Sequence, residues 1–134
     1  MAIEDLPINL QLNQSIQNLL SEKLYHPDSR HIEEAIGWTY RELYRHTEDS
    51  DFLRKAGDAF LRAEWLGVRN KGLDFGQAHY FEVVSEILTT LGDKSKLDSY
   101  FKNIIKEFPD NGQIPFIYAM ALSELSDNRA PVFF

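Results

Sequence analysis

Histidine and glutamate side chains share two faces of predicted helices, and such a combination could hold a metal ion. His79, Glu82 and Glu86 follow one another at helical spacing, and His31 lies three residues before Glu34. None of the four histidines is four residues from another, which is the spacing that places two zinc ligands on one helical turn. Polar neighbours at such steps are routine on solvated helices. We therefore interpret both faces as surface and predict no metal site and no cofactor.

No other arrangement of side chains points to catalysis. The sequence has no cysteine, which excludes thiolate nucleophiles, thiolate metal sites and disulfides. It has no glycine-rich loop of the kind that cradles phosphates, and serine, histidine and aspartate fall together only as chance would give. The chain is therefore predicted not to be an enzyme.

Two amphipathic helices are predicted over residues 77–109, and they would position one of these polar faces. Each helix carries an apolar stripe at three- and four-residue steps. The stripes are Ala78, Phe81, Val84, Ile87, Leu88 and Leu91, then Leu97, Tyr100, Phe101, Ile104, Ile105 and Phe108. Gly92 can adopt the left-handed conformation that closes the first helix, and Pro109 stops the second. So short a connection makes the helices antiparallel.

This hairpin resembles a tetratricopeptide repeat (TPR), a unit of two antiparallel helices. The family pattern places large, small and aromatic residues at set distances and a proline after the pair. The matching residues here are Phe81, Val84, Ser85, Leu88, Gly92, Leu97, Phe101, Ile104 and Pro109. Phe81 stands where tryptophan is usual, and Leu97 where alanine is usual. The resemblance implies a scaffold that binds other proteins.

An earlier helix pair is predicted over residues 31–66. Shifting the chain by 41 residues aligns Tyr40 with Phe81. It also fills the family's alanine, aromatic and alanine positions, with Ala56, Phe60 and Ala63. Tyr44 then stands where a small residue is expected. Because the usual period is about 34 residues, the excess of roughly seven is assigned to a loop at 67–74, although a period near 41 also fits HEAT-like helix pairs.

Further segments flank the two pairs. Residues 9–24 are predicted to form an N-terminal helix with the stripe Leu12, Ile16, Leu19, Leu20 and Leu24. Residues 113–126 are predicted to form a half repeat with the stripe Ile117, Met120, Ala121 and Leu125. Residues 127–134 are an apolar tail. The prediction is an all-α fold over 1–134, a single-domain TPR-like α-solenoid with an extra N-terminal helix; the alternative is a HEAT-like or irregular helical bundle.

Composition limits the partners. The chain has 134 residues, 43% of them hydrophobic and 26% charged, which is ordinary for one globular domain. Its net charge of -7 disfavours attraction to nucleic-acid phosphates. No apolar run approaches the roughly 20 residues of a membrane helix, and the first residues lack the pattern of a secretion signal. We expect a cytoplasmic protein with no nucleic-acid partner and no membrane insertion.

The resemblance also implies a binding surface, since the first helix of each TPR pair lines a concave groove. The groove positions here are Trp38, Arg41, Glu42 and Arg45 in the first pair, and His79, Glu82, Val83, Glu86 and Thr89 in the second. Aromatic and arginine anchors dominate interface energetics, so Trp38 with Arg41 and Arg45 is the expected hot spot. The competing interpretation packs Trp38 against the N-terminal helix and pairs the arginines with Glu34 or Glu42.

Two functions are compatible with these features. The leading hypothesis is a non-catalytic protein–protein interaction module, an adaptor or assembly chaperone that binds a peptide segment or partner protein in the groove. TPR proteins that clamp acidic C-terminal peptides use lysine and asparagine where this chain has Glu82 and Glu86, so a mixed or basic peptide is expected. The alternative is a small acidic inhibitor or immunity-type protein that blocks a basic site on an enzyme.

The C-terminal end predicts one further partner. A helical stack that ends on an apolar tail, here Phe133 and Phe134, exposes surface that a solvating cap normally covers. The tail could fold back on its own chain or insert into a second copy. A homodimer formed through this end is therefore a further expectation.

Overall fold

The computed structural model of the chain describes residues 7–70 and 80–129. These two ranges contain six α-helices and no β-strand, so the all-α prediction is confirmed. The chain divides into two compact units, Met1–His79 and Tyr80–Phe134. Successive helix pairs that belong to one domain can also form two such units. The single domain over residues 1–134 therefore stays a prediction. None of the described helices is long and apolar enough to cross a bilayer.

The first unit contains three helices and a π-helical turn. They are α1 (Ile8–Tyr25), α2 (Arg30–Thr47), α3 (Ser50–Glu64) and the π-helical turn Trp65–Asn70. The predicted loop at 67–74 is therefore wrong for residues 67–70, which continue α3. Residues 71–74 lie outside the described ranges.

Side-chain caps fix where these helices start. Ser29 Oγ accepts a hydrogen bond from the Ile32 N–H at 3.2 Å at the start of α2. Asp49 Oδ1 accepts one from the Asp51 N–H at 3.0 Å at the start of α3. Each cap satisfies an amide that the first turn of a helix leaves unpaired. Between the two helices Glu48 has a φ of 59°, the left-handed conformation that ends a helix and that glycine adopts more readily.

The core of the first unit lies between α1, α2 and α3. One cluster of buried residues there is formed by Ile16, Ile36, Leu43 and Ala59, with the partly buried Leu12, Leu19, Leu20, Ile32, Tyr40 and Phe52 packed against it. Leu53, Ala56, Phe60, Ala63 and Leu66 are buried as well. The predicted stripe of α1 is thus confirmed except at Leu24, which is 82% exposed. Seven residues after Ile16 the helix returns to the same face at Lys23, so Lys23 and not Leu24 faces the neighbouring helix.

Lys23 compensates a buried carboxylate. Its Nζ lies 2.8 Å from Oε1 of Glu33, whose side chain is only 3% exposed. Glu33 Oε1 accepts no directed hydrogen bond from the described residues, so the Lys23 charge is what offsets its burial. This ion pair joins the end of α1 to the start of α2.

Helices α2 and α3 meet in a close contact where Gly37 faces Phe60. A Cβ atom added to Gly37 would lie 2.9 Å from Phe60 Cζ and 3.0 Å from both Cε atoms, and Phe60 is fully buried. The ring therefore occupies the space that any other side chain at position 37 would need. The small residue at the contact between α2 and α3 is therefore Gly37. The 41-residue shift had placed the small residue of this helix pair at position 44, which is Tyr44.

The second unit contains the remaining three helices, α4 (Phe81–Leu91), α5 (Lys94–Glu107) and α6 (Gln113–Arg129). Gly92 closes α4 with a φ of 69°, as the sequence predicted, and the Asp93 N–H donates to the Leu88 carbonyl at 3.0 Å. The Asp93 side chain accepts from the Lys96 N–H at 3.1 Å and caps α5. The tail predicted from residue 127 starts later, because α6 continues to Arg129.

The core of the second unit follows the predicted stripes of α4 and α5. The buried residues are Phe81, Val84, Ile87 and Leu88 of α4, Leu97, Tyr100, Phe101 and Ile104 of α5, and Ile114, Ala121 and Leu125 of α6. The stripe of α6 was predicted with Met120, which is wrong because Met120 is 48% exposed. The observed stripe is Ile114, Tyr118, Ala121 and Leu125, which recur at three- and four-residue steps.

Tyr118 joins α6 to α5 through two contacts. Its ring stacks on Phe101 with centroids 4.8 Å apart and planes 8° apart. Its hydroxyl donates a hydrogen bond to Asp98 Oδ1, while Lys94 Nζ donates to Asp98 Oδ2 at 2.7 Å. The hydrogen bonds from Lys94 and then Tyr118 lower the pKa of Asp98. The bond to Asp98 raises the pKa of Tyr118 to about 12.

We expect Gly37→Ala to destabilise the first unit. Forcing a methyl group into a packed site costs about 1–3 kcal/mol, and the better helix propensity of alanine returns up to about 1 kcal/mol, so the net loss is about 1–2 kcal/mol. Urea unfolding followed by tryptophan fluorescence measures it, because Trp38 and Trp65 are the two tryptophans of the chain and both lie in this unit. In a Phe60→Leu background the same change should cost less. A Gly37→Ala protein as stable as the wild type would contradict the close approach.

We expect Tyr118 to ionise near pH 12. Because its folded pKa lies above the ordinary value of 10.0, the stabilisation from its hydrogen bond is complete below pH 10 and is lost as the pH rises through about 12. Phenolate absorbance of the wild type minus that of Tyr118→Phe isolates this group, since the variant keeps the ring that stacks on Phe101. A difference titration centred near pH 10 in the folded protein would contradict the bond to Asp98.

Candidate functional site

Trp38, Arg41 and Arg45 lie along one face of α2. Their spacing of three, four and seven residues places them on neighbouring turns of one helical surface. The Trp38 indole is 43% exposed, and the Arg41 guanidinium carbon lies 5.6 Å from its ring centroid. That distance is within the range of a cation–π interaction. The structure thus brings together the three residues that the sequence predicted as a hot spot.

The buried side of Trp38 rests on α3. The edge of one ring meets the face of the other, with the Trp38 and Phe60 centroids 4.9 Å apart and their planes at 78°. This T-shaped arrangement is a favoured geometry for aromatic pairs. Phe60 is the ring that also occupies the space above Gly37. Trp38 is therefore held by the same contact that sets the approach of α2 to α3.

Arg45 pairs with Glu42 on the exposed surface. Its Nη1 lies 2.7 Å from Glu42 Oε1, and His46 Nε2 lies 3.8 Å from the other oxygen. The competing interpretation, which pairs the arginines with Glu34 or Glu42, is thus confirmed for Arg45, whose partner is Glu42. Ion pairs between exposed side chains contribute about 0–1 kcal/mol, so this one can be exchanged for contacts with a partner at little cost.

The predicted groove positions of the second unit differ in how exposed their side chains are. Glu82 and Glu86 are exposed on α4, and Val83 is half-buried. Thr89 is only 5% exposed and its Oγ1 has no hydrogen-bond partner among the described residues, so its predicted place in a groove is wrong. It lies four residues after Ser85 and therefore on the buried face of the helix. His79 lies outside the described residues.

The two groups of predicted site residues belong to different compact units. Trp38, Arg41 and Arg45 are in the first unit, and Glu82 and Glu86 are in the second. A shared groove lined by both groups therefore stays a prediction.

Metal-binding chemistry has no candidate cluster in the two described ranges. No group of three or more histidine, aspartate or glutamate side chains converges there in a way that could hold an ion. His31 is exposed on α2. Of the predicted face formed by His79, Glu82 and Glu86, the structure describes only the two glutamates.

A second tryptophan–arginine pair was missed in the sequence. The Arg62 guanidinium carbon lies 5.0 Å from the centroid of the Trp65 ring, and Trp65 is 47% exposed. Arg62 is on α3 and Trp65 opens the π-helical turn. The spacing of three residues is the same as between Trp38 and Arg41, so a search for arginine and tryptophan three residues apart would have found it.

A third cation–aromatic cluster joins α2 and α3 near their connection. Tyr40 and Phe52 stack with centroids 6.0 Å apart, and Lys55 Nζ lies 5.6 Å and 5.9 Å from the two centroids. Tyr40 and Phe52 pack against the core, so this cluster contributes to the fold.

Trp38, Arg41 and Arg45 give this face of α2 hydrogen-bond donors and an aromatic ring. An indole N–H and guanidinium groups are hydrogen-bond donors, and neither accepts a proton near neutral pH. Trp38 supplies an apolar surface with a donor at its edge. Glu42, which pairs with Arg45, adds a carboxylate to the same surface.

Comparison of the chain with protein-family models, with curated proteins and with solved structures found no match. The resemblance to the tetratricopeptide repeat family therefore stays a prediction.

Proposed function

We propose that the protein is a non-catalytic interaction module whose first unit binds a partner protein or peptide segment through the exposed face of α2. The observation that carries the proposal is the position of Trp38, half-exposed between the buried Phe60 ring and the Arg41 guanidinium. A TPR-like stack of the helix pairs, with an adaptor or assembly-chaperone role, belongs to the same proposal.

Preorganisation supports this function. A side chain that is ordered only on binding loses rotamer entropy of about 0.5–1.5 kcal/mol. Trp38 is already held on one side by Phe60 and bordered on the other by Arg41, so much of this loss is incurred during folding. The exposed part of the indole can then contribute to affinity at a small entropic cost.

Residue type supports it as well. Tryptophan and arginine are the residues most enriched among interface positions whose loss weakens binding strongly. Arg41 and Arg45 flank the indole on the same helical face and add charge at its border. Arg45 is 63% exposed and already paired with Glu42, so we expect it to contribute less than Trp38.

We predict that Trp38→Ala/Arg41→Ala abolishes capture of the partner from native lysate. Loss of two central anchors should weaken the affinity of the purified partner by more than about tenfold, which corresponds to about 1.4 kcal/mol. The matched control is Tyr25→Ala/Arg54→Ala, which removes one exposed aromatic residue and one exposed arginine elsewhere in the same unit.

Folding of each variant is checked by circular dichroism before binding is compared. A partner held equally by the wild type and by the folded Trp38→Ala/Arg41→Ala protein would contradict the proposal. Binding would then lie on another surface, such as the acidic one that the inhibitor alternative requires.

We also propose that α6 mediates self-association. Phe116 and Met120 lie one turn apart and are 63% and 48% exposed. The segment 113–123 contains no charged residue, so two copies that each carry a net charge of -7 can approach there with less repulsion. Phe133 and Phe134, from which a C-terminal dimer was predicted, lie outside the described residues.

We expect light scattering to show a dimer of the wild type and a monomer of Phe116→Ser/Met120→Ser. Leu24→Ser/Tyr25→Ser, which alters two residues that are each 82% exposed, is the control and should leave the dimer unchanged. A wild-type protein that stays monomeric at high concentration would contradict self-association.

A further inference from the structure

We propose that Trp65 and Arg62 form a second contact surface, which binds an acidic segment of a partner protein. This goes beyond the proposed function, because Arg62 lies on α3, the second helix of the α2/α3 pair, and Trp65 directly follows it. The predicted groove is lined by the first helix of the pair, α2. No sequence motif had assigned these two residues a role.

The geometry of the pair is that of a cation over an indole ring. The Arg62 guanidinium carbon is 5.0 Å from the Trp65 centroid, which is shorter than the 5.6 Å between Arg41 and Trp38. The contact with the ring uses none of the hydrogen-bond donors of the guanidinium edge. Trp65 remains 47% exposed. The pair therefore offers donor groups beside an apolar ring.

The backbone conformation at Trp65 is a second, independent feature. The chain passes there from α3 into a π-helical turn that runs to Asn70. π-helical turns are rare and occur frequently at functional sites, because they redirect side chains relative to a regular helix. The turn begins at the residue that forms the exposed half of the pair.

The donors of this pair select the partner. The indole Nε1–H and all five guanidinium N–H groups donate, and neither side chain has an acceptor. A carboxylate accepts two parallel hydrogen bonds from a guanidinium edge, in the strongest arrangement available to an exposed arginine. The ring face beside it accommodates an aliphatic or aromatic side chain. The matching ligand is a segment that alternates aspartate or glutamate with leucine or phenylalanine.

Charges on the same helix are compatible with that ligand. The exposed charged side chains of α3 are Lys55, Asp58, Arg62 and the pair of Arg54 with Asp51, whose charged atoms lie 3.0 Å apart. They carry one positive charge in excess, and the buried Glu64 balances the count over the helix as a whole. An acidic segment would meet the exposed positive charge of Arg62 here, although the net charge of -7 of the whole protein opposes it.

This assignment differs from the mixed or basic peptide that Glu82 and Glu86 suggested. Glu82 and Glu86 belong to the second unit, so their negative charges lie on a different surface from that of Arg62 and Trp65. The two surfaces can therefore bind segments of opposite charge.

The test uses two arrays of short synthetic peptides and the purified full-length chain. One array combines aspartate and glutamate with leucine and phenylalanine, and the other combines lysine and arginine with the same apolar residues. We expect the wild type to bind members of the acidic array. Arg62→Ala and Trp65→Ala should each weaken the bound members by about tenfold or more. Arg62→Lys should also weaken them, because an ammonium group cannot form the bidentate contact.

Two variants serve as controls. Arg54→Ala removes an equal charge from the same helix without touching the aromatic pair and should leave binding within about twofold. Trp65→Phe keeps an aromatic ring and should weaken binding less than Trp65→Ala, which separates a contact with the ring from a change of fold.

Several outcomes would overturn the inference. They are no binding to the acidic array, binding to the basic array alone, and acidic peptides held equally by Arg62→Ala and Trp65→Ala. A loss of acidic peptides caused only by Trp38→Ala/Arg41→Ala would also overturn this surface, while it would support the proposed function of α2. If Arg62→Ala and Trp65→Ala each lose binding to the acidic peptides, the contact surface of Trp65 and Arg62 is supported. This holds even if the lysate experiment on Trp38 fails.

Discussion

The contact between Gly37 and the Phe60 ring is the constraint on which the packing of α2 against α3 and the position of Trp38 depend. Because position 37 has no side chain, α2 can approach α3 until the ring fills the space between their backbones. That approach fixes the register of the two helices. Trp38 packs against the same buried ring in a T-shaped contact.

The two units solve the problem of joining helices with different chemistry. The first uses a glycine beneath a phenylalanine and an ion pair between the partly exposed Lys23 and the buried Glu33. The second has an aromatic stack beside a hydrogen bond from Tyr118. Steric fit tolerates little change at its central residue, whereas a hydrogen bond at a partly exposed position can be lost with a modest effect. The surface around Trp38, which depends on Phe60, is accordingly more strictly determined by packing than the surface around Tyr118.

Periodicity and capping signals were enough to predict every described α-helix, but not the π-helical turn after α3. The stripe of α5 and the left-handed glycine at position 92 follow from local chemistry and are confirmed. The register of α2 against α3 did not follow, because it depends on the contact of Gly37 with Phe60, two residues that lie far apart in the sequence. Met120 was misassigned because an apolar side chain does not reveal whether a neighbour covers it. Trp38 was predicted from its type, but its contact with Phe60 depends on a register that only the folded pair defines.

The most direct test of a preformed anchor is the motion of Trp38 in the free protein. With Trp65→Phe, Trp38 becomes the single tryptophan, and its time-resolved fluorescence anisotropy reports whether the indole rotates independently. The contacts with Phe60 and Arg41 predict a decay dominated by tumbling of the folded protein, and a fast local component should emerge when Phe60 is replaced by leucine. A large fast component in the protein that retains Phe60 would show that Trp38 is not held in place, and the central claim would be wrong.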